Sequence, residues 1–416
     1  MYSPRVIAEP TIFIHGLGWV AVVGFLVALF VAVRRWPSFG IVAVLAALPA
    51  YQVRGSIGLP TTLLELTLLT VCAAAFTVGC LKLRRRHFGA ALMLWSGGAL
   101  LAVFATGQIH DGLGLWRAFY LEPIIFYCFL LTLLERDPAA KRSILYGALA
   151  GLAVTTVWSL IRAAGGEGVS YDGRFVGSFQ SANYLPLLVV PLTLLILAWP
   201  DRRLLLVRGA AVITGVGLTV ASNSRGGLLA LLAGLTVTAA IRLPRRWLAS
   251  AVAVGIMVAL VSLAAGLNPL KHHEVQVVNA RAAIWREAVH FISKNPVFGI
   301  GPGERFQAEF TERVKGNENE TLYVAPQAQS PHNLFLTTWT EWGLLSLLGL
   351  VSLLVLCGTA AWRLPRAERA VVLSLLAAIL IHGLFDTSVL KNDLAIIFVL
   401  TLALSLGIGG HHAHRR

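Results

Sequence analysis

Runs of apolar residues, each about twenty residues long, recur along this chain and alternate with short polar connections. A helix needs about 20 apolar residues to cross a bilayer, so the pattern predicts an all-α, polytopic membrane bundle of about 12 transmembrane helices. The predicted spans lie at 12–33, 39–51, 60–81, 88–106, 116–134, 144–162, 183–199, 204–222, 225–241, 247–267, 343–362, 370–386 and 394–410. The run at 39–51 is short for a span, which leaves the total at about 12 or 13.

One long polar interruption, from Asn268 to Asn333, breaks this pattern. It divides the chain into N-terminal spans at 1–267, a loop at 268–333, and C-terminal spans with a tail at 334–416. Apolar residues recur at helical spacing inside the loop and stop at a proline, which predicts a helix near 279–294. A second loop helix is predicted at 303–315. Because membrane spans account for most other residues, this loop is where we expect the chemistry.

Composition places the chain among membrane proteins, since 57% of its residues are hydrophobic and only 13% are charged. The net charge of +14 could indicate nucleic-acid binding, but the basic residues are not distributed for that role. Most lie in alternate connections: Arg34 and Arg35; Lys82 and Arg84–Arg86; Arg136, Lys141 and Arg142; Arg202, Arg203 and Arg208; Arg242, Arg245 and Arg246; Arg363, Arg366 and Arg369; and Arg415 and Arg416. The positive-inside rule therefore places these connections in the cytoplasm and the long loop outside it. We expect contact with membrane lipids and no nucleic-acid partner.

The sequence predicts neither a disulfide framework, nor a metal site, nor a nucleotide site. All four cysteines fall inside apolar runs, as expected of small buried hydrophobic residues. The histidine groups at 271–274 and 411–414 offer no closed set of metal ligands. The glycines at 299, 301 and 303 lack the strand and helix that flank a phosphate-binding loop.

Ionisable side chains near the outer ends of spans are functional candidates, because a charge buried in a bilayer is costly. Arg174 begins a Gly- and Ser-containing segment that ends at Asn183, although Ser181 or Asn183 could simply cap the next helix. Arg225 follows Ser224 and precedes two glycines. If Ser224 caps that helix, Arg225 lies in its first turn beside unpaired N–H groups, which favours anion binding. The alternative is an arginine that only extends to the membrane surface.

The first predicted loop helix carries polar side chains beside an apolar stripe. Arg281 and Trp285 share one face at a spacing of one turn, and Arg286 follows them. The apolar stripe consists of Ile284, Ala288, Phe291 and Ile292. Further along the chain, Asp386 lies at the outer end of the 370–386 span with His382 one turn earlier. Asp386 could brace a loop residue or cap the end of the span.

His332 and Asn333 begin the helix that closes the loop. Ser330 is expected at its N-cap and Pro331 at its first position, which would place His332 in the first turn. The positive end of a helix disfavours imidazolium, so we expect a neutral His332 that can accept a proton. The alternative is a histidine with a purely structural role.

Taken in order, these fragments resemble the O-antigen ligase and Wzy-type polymerase superfamily of bacterial surface-glycan enzymes. The resemblance runs from about Arg174 to Phe398 and rests on short motifs, which are Arg174-Phe-Val-Gly-Ser-Phe179 with Asn183, Ser224-Arg-Gly-Gly227, Arg281 with Trp285, Pro296-Val-Phe-Gly-Ile-Gly301, Pro331-His-Asn333, Glu341 with Gly343, and Phe385-Asp386. Their order, their spacing and their common side of the membrane make the set specific. The N-terminal spans add only hydropathy to it.

This resemblance implies a glycosyltransferase that uses neither metal nor cofactor. Such an enzyme takes a glycan from undecaprenyl diphosphate at the periplasmic face of the inner membrane and joins it to a hydroxyl of lipid A–core. The family's functional residues carry over onto Arg225, Arg281 and His332. Arginines can hold the diphosphate bidentately, and His332 can act as general base. Substrate binding is expected from Arg174, Trp285, Arg286, Asn333 and Asp386.

Three other functions stay open at this point. In a polymerase the acceptor is another repeat unit, and we favour a ligase because a single loop of moderate length dominates the outer side. A flippase or transporter would carry charged residues mid-span, and Glu65 and Glu122 are the best candidates for that arrangement. A non-catalytic scaffold predicts that the His332→Ala substitution is silent.

Overall fold

The computed structural model describes residues 12–57, 60–81, 88–170, 173–200, 204–244, 273–315 and 328–407. This part of the chain is mostly helical, which confirms the predicted all-α class. Some predicted features fall outside the residues whose side chains are described: the span at 247–267, the histidine groups at 271–274 and 411–414, and the basic residues at 82–86, 202–203, 245–246 and 415–416.

The helices of the described residues are α1 (Leu17–Arg35), α2 (Phe39–Ala46), α3 (Leu63–Thr77), α4 (Gly89–Ala105), α5 (Ile109–Trp116), α6 (Glu122–Arg136), α7 (Pro138–Ala164), α8 (Tyr184–Ala198), α9 (Leu205–Ala221), α10 (Arg225–Arg242), α11 (His273–Lys294), α12 (Arg305–Lys315), α13 (Leu334–Trp362), α14 (Arg366–Gly383) and α15 (Asn392–Gly407). A 3₁₀ turn at Leu48–Gln52 follows α2, and a π-helical turn at Arg117–Leu121 joins α5 to α6. Three short strands, β1 (Ile12–Phe13), β2 (Val53–Ser56) and β3 (Pro60–Thr62), form a sheet in that order.

Within the described residues, 5 helical stretches are long and apolar enough to cross a membrane: Gly18–Arg35, Ile109–Arg136, Pro138–Ala164, Arg225–Arg242 and Leu334–Trp362. Shorter apolar helices occupy the predicted spans at 60–81, 88–106, 183–199, 204–222 and 394–410. The apolar pattern therefore located helices correctly, because their length and hydropathy are properties of local sequence. The predicted total of 12 or 13 spans stays a prediction.

Contacts divide the chain into two compact units, and the first comprises Met1–Lys82 and Phe129–Ser224. In this unit α2 packs closely on α7, because glycines of α7 face it without side chains. A Cβ atom at Gly151 would lie 2.4 Å from the carbonyl oxygen of Leu45. Ile41, Val44 and Leu45 are fully buried, so the short apolar run at 39–51 forms an interior helix followed by a 3₁₀ turn.

The second unit comprises Leu83–Cys128 and Arg225–Arg416 and contains the predicted loop. Its helices α4 and α13 touch backbone to backbone, since a Cβ atom at Gly349 would lie 2.2 Å from the backbone nitrogen of Trp95. The two loop helices α11 and α12 match the predicted 279–294 and 303–315 in position. The predicted stripe of α11 is buried along its whole length, and with Phe306 and Phe310 of α12 it forms a small core for the loop.

A break in α13 at Gly343 anchors this loop to the membrane helices. Gly343 has φ 80° and ψ 170°, which no helical residue adopts. The hydrogen bond that Leu344 would donate to Thr340 is replaced by two bonds to the loop. Leu344 N donates to the carbonyl of Val297 at 2.8 Å, and Ile300 N donates to the carbonyl of Thr340 at 2.7 Å. The segment 297–300 is thus inserted into the hydrogen-bond ladder of α13, which satisfies backbone groups that a break would otherwise expose.

Gly299 makes this insertion possible, and replacing it with alanine is expected to lower the apparent melting temperature of the detergent-solubilised protein strongly. Gly299 has φ +69°, and a Cβ atom there would lie 2.2 Å from the carbonyl oxygen of Thr340. Gly303 is the matched control, because its φ of +96° imposes similar strain but the nearest atoms lie 4.0 Å away. Strain alone costs about 1–3 kcal/mol, so Gly303→Ala should be the milder change. An equal drop in melting temperature in both variants would show that the insertion of 297–300 into α13 does not stabilise the fold.

Candidate active site

His332 lies in the turn that precedes α13, and its backbone adopts the left-handed conformation with φ 50°. The prediction that Ser330 caps this helix and that His332 lies in its first turn is wrong. Asn333 is the N-cap residue, and its Oδ1 accepts hydrogen bonds from Phe335 N at 3.0 Å and Leu336 N at 3.1 Å. Asn caps helices as well as Ser does, and here its extended backbone directs the side chain at the exposed N–H groups. His332 therefore lies outside the helix, one residue before its N-cap.

The partner of His332 is Asp386, which lies beyond the end of α14 and is 2% exposed. His332 Nδ1 and Asp386 Oδ1 are 3.5 Å apart, and Asp386 Oδ1 also accepts a 2.8 Å hydrogen bond from Thr387 N. Burial raises the pKa of Asp386, but the neighbouring His332, the Thr387 N–H and His382 outweigh burial and lower that pKa to about 2. Asp386 is thus an ionised carboxylate at neutral pH, and it braces the loop histidine.

An ionised carboxylate can only accept hydrogen bonds, so a neutral His332 would donate from Nδ1 to Asp386 and keep its lone pair on Nε2. An imidazole held in this way can accept a proton at Nε2 while the carboxylate stabilises the imidazolium that forms. His332 is half-buried, with 30% of its side chain exposed, so a substrate hydroxyl can approach it.

His382 connects this pair to the first turn of α10. It is buried in the last turn of α14, where its backbone carbonyl accepts a 2.9 Å hydrogen bond from Asp386 N. A Cβ atom at Gly226 would lie 3.3 Å from His382 Cδ2, so the first turn of α10 rests on the imidazole. Arg225, which begins α10 as predicted, is exposed beside this contact. Arg281 of α11 belongs to the same unit and is half-buried.

Trp285 and Asn333 hold the His332 turn in place. Trp285 Nε1 donates a 3.0 Å hydrogen bond to the carbonyl of Pro331, so α11 is bonded to the residue just before His332. Asn333 Nδ2 donates a 3.1 Å hydrogen bond to the carbonyl of Leu384, which joins the turn to the segment that carries Asp386. Both were predicted to bind substrate, but the contacts seen here are to the protein itself. A left-handed histidine needs such support, because the conformation is strained.

The other predicted substrate-binding residues lie elsewhere. Arg286 is on the exposed face of α11, next to the ion pair that Glu287 forms with Arg313 of α12. Arg174 belongs to the first unit, where its Nη1 donates a 3.5 Å hydrogen bond to Asn183 Oδ1. Its backbone carbonyl accepts hydrogen bonds from Ser170. A role in substrate binding stays a prediction for both arginines.

Sequence reasoning noted His382 but gave it no part in the site. The residue lies in an apolar run that predicts a span, and its contact with Gly226 joins segments more than 150 residues apart. The paired glycines after Arg225 are the one available signal, because a residue without a side chain often marks a close approach of another group. Within the described residues, no three His, Cys, Asp or Glu side chains are grouped in a way that could hold a metal ion.

The apolar helices indicate a membrane protein, and its second unit contains a histidine–aspartate pair with a second histidine one helical turn before the aspartate. Residues 209–351, roughly a third of the chain, match the family model described as O-antigen ligase. The resemblance inferred from the motifs is therefore confirmed for this stretch, which contains Arg225, Arg281 and His332. The family is a glycosyltransferase-like class of enzymes that use a lipid-linked glycan and a lipid acceptor. A search of curated proteins finds no match to the chain.

If this chain carries out the transfer reaction of that family, replacing Trp285 with phenylalanine is expected to slow it about two- to tenfold, the equivalent of one hydrogen bond of about 0.5–1.5 kcal/mol. The variant keeps the aromatic ring and loses only the bond to Pro331, so the His332 turn loosens. Trp339→Phe is the matched control, because its Nε1 also donates to a proline carbonyl, that of Pro296, at 2.7 Å. Transfer rates of both purified variants measure the effect, and equal slowing would show that the Trp285 bond has no special role.

Proposed function

We propose that this protein is an O-antigen ligase of the bacterial inner membrane. It moves a glycan from undecaprenyl diphosphate to a hydroxyl of lipid A–core at the periplasmic face, in lipopolysaccharide synthesis. The observation that carries the proposal is the His332–Asp386 pair, with the first turn of α10 packed against His382 beside it. The match to the O-antigen ligase family over residues 209–351 supports it.

In the proposed reaction His332 Nε2 removes the proton from the acceptor hydroxyl as that oxygen attacks the anomeric carbon of the donor glycan. The bond from the anomeric carbon to the diphosphate oxygen breaks, and its electron pair stays on the diphosphate. Arg225 and Arg281 stabilise the new negative charge, which guanidinium groups can do bidentately at any physiological pH. Asp386 holds the tautomer of His332 and balances the positive imidazolium.

The loop at 268–333 is proposed to stand at the periplasmic face, between N-terminal spans at 1–267 and C-terminal spans at 334–416. The distribution of basic residues supports this orientation through the positive-inside rule. Since the donor carries its own energy in the diphosphate linkage, the reaction needs no ATP in the periplasm. Arg174, Arg286 and Asn333 stay proposed substrate-binding residues, as does Trp285.

Contacts of the two acidic residues that favoured a transporter weaken that alternative. Glu65 forms a capping box with Thr62, in which Glu65 Oε2 accepts a 3.0 Å hydrogen bond from Thr62 N and Thr62 Oγ1 accepts a 3.2 Å bond from Glu65 N. Glu122 pairs with Arg117 at 3.2 Å. Both carboxylates therefore have a structural role, one at a helix N-terminus and one at the π-helical turn.

The test is transfer by the purified protein in detergent, where no gradient exists to drive a transporter. Labelled glycan on undecaprenyl diphosphate is supplied with lipid A–core, and a labelled lipopolysaccharide product is expected. Lengthening of the donor glycan without added lipid A–core would instead identify a polymerase. No transfer by inserted, monodisperse protein would contradict both the ligase and the polymerase function.

In cells, deletion of the gene should remove all glycan-capped lipopolysaccharide from a gel, whereas loss of a polymerase leaves a single-repeat cap.

A further inference from the structure

A concave site lies in the loop, apart from the His332 turn. It is a cavity of about 470 Å³ between the end of α4, the end of α11, the start of α12 and the inserted segment 297–300. This volume falls within the range of small-molecule sites, which is about 300–1,000 Å³. The cavity lies wholly within the second unit, and its walls include Thr106, Phe298 and the backbone of the inserted segment.

The ionisable side chains that line the cavity are mostly basic. Lys294 is the last residue of α11 and is exposed. Arg305 begins α12, where its Nε lies 3.2 Å from Glu309 Oε1 and its Nη1 donates to the carbonyl of Thr106 at 3.3 Å. Glu309 thus offsets one of the two positive charges, which leaves a net excess of one. Phe298 exposes 41% of its surface and offers an apolar face on which a sugar ring can pack.

Two helices connect this cavity to the His332 turn. Trp285, which donates the hydrogen bond to Pro331, lies on α11 together with Lys294 of the cavity. At the rise of an α-helix, the two residues are about 14 Å apart along the helix axis. Thr340, which bonds to the cavity wall at Ile300, lies about 9 Å along α13 from its first residue, Leu334. An oligosaccharide spans such a distance, whereas a single sugar does not. Because both connections run along helices, α11 and α13, the distance between the cavity and the His332 turn is fixed.

We propose that this cavity binds an anionic sugar, one that carries a phosphate or carboxylate, some residues away from the reacting hydroxyl or anomeric carbon. The proposal rests on the glycosyltransferase function above and adds a determinant of substrate choice. Lys294 and Arg305 bind the anion, Phe298 packs on a sugar ring, and Glu309 competes with the ligand for Arg305. The acidic sugar belongs either to the acceptor or to the donor glycan.

Binding of two fluorescent trisaccharides to the full-length protein in detergent tests this site without transfer. The probes are one trisaccharide with a single phosphate monoester and the same trisaccharide without it. Lys294→Gln is expected to weaken binding of the phosphorylated probe about tenfold, as one charged hydrogen bond is lost. Glu309→Gln is expected to tighten it several-fold, because Arg305 is released from its carboxylate. Neither variant should alter binding of the neutral probe. Arg363→Gln, a charge change at the far end of α13, should leave binding of both probes unchanged.

Opposite signs for Lys294→Gln and Glu309→Gln exclude misfolding as the cause, since damage cannot improve binding. Equal affinity of wild-type protein for both probes, or weaker binding by Glu309→Gln, would overturn the proposal. Transfer assays with the acidic group on only one substrate identify its source: a raised KM for the acceptor in Lys294→Gln assigns it to the acceptor, and a raised KM for the donor assigns it to the donor. Failure of the proposed function would remove transfer in every variant yet leave the difference between the probes intact.

Discussion

Replacing His332 with alanine is expected to reduce glycan transfer about 10²–10⁴-fold, the usual contribution of a positioned general base. The loss should appear in kcat, because His332 acts on the proton that moves in the transition state, while KM for the donor changes little. Asp386→Asn is expected to fall between wild type and His332→Ala. An asparagine can donate to Nδ1 and so favour the unreactive tautomer, whereas Asp386→Glu should restore part of the rate.

His110→Ala is the matched control for this prediction. His110 Nδ1 lies 2.9 Å from Asp111 Oδ1, so the same residue types form a pair at an exposed position of α5. Its loss should leave transfer unchanged. The measurement is initial rate per amount of folded protein, with folding checked by size exclusion in detergent. Wild-type transfer by His332→Ala would remove the general base from the proposal and restore the scaffold alternative.

The sequence predicts the helices of this fold well but not the break that organises the loop. Predicted spans such as 88–106 and 183–199 agree with α4 and α8 within a residue or two, because an apolar run is a local property. The break at Gly343 depends on hydrogen bonds between 297–300 and α13, which join residues about 40 positions apart. Glycines at 299 and 343 indicate irregular backbone. Nothing in the neighbouring sequence indicates that Gly299 lies against α13, or that Gly343 lies against the segment 297–300.

The sequence predicted which residues belong to the candidate site, but it did not predict the contacts between them. Arg225, Arg281 and His332 were chosen from short motifs, and the structure brings the first turn of α10 against His382, one helical turn from the His332–Asp386 pair. The wrong cap had a simple cause, since Ser330 and Asn333 are both good N-cap residues. Only the left-handed backbone of His332 decides between them, and propensity rarely predicts that conformation for a residue other than glycine.

Replacing Arg281 with alanine is expected to reduce glycan transfer about 10²–10³-fold, which corresponds to about 2.7–4 kcal/mol of transition-state stabilisation if it acts like a lost oxyanion donor. The charge on the diphosphate develops as the glycosidic bond breaks, so the loss should again appear mainly in kcat. Arg281→Lys should recover only part of the rate, because an ammonium group keeps the charge but cannot bind two oxygens in the planar fork of a guanidinium.

Arg286→Ala separates this effect from a general loss of positive charge on α11. Arg286 lies on the exposed face of the same helix, whereas Arg281 is half-buried. If Arg281 binds the diphosphate, Arg281→Ala must be far more damaging than Arg286→Ala. Comparable losses would place the anion along the outer face of α11 instead. Near-wild-type transfer by correctly inserted Arg281→Ala would show that the leaving group is stabilised without this arginine.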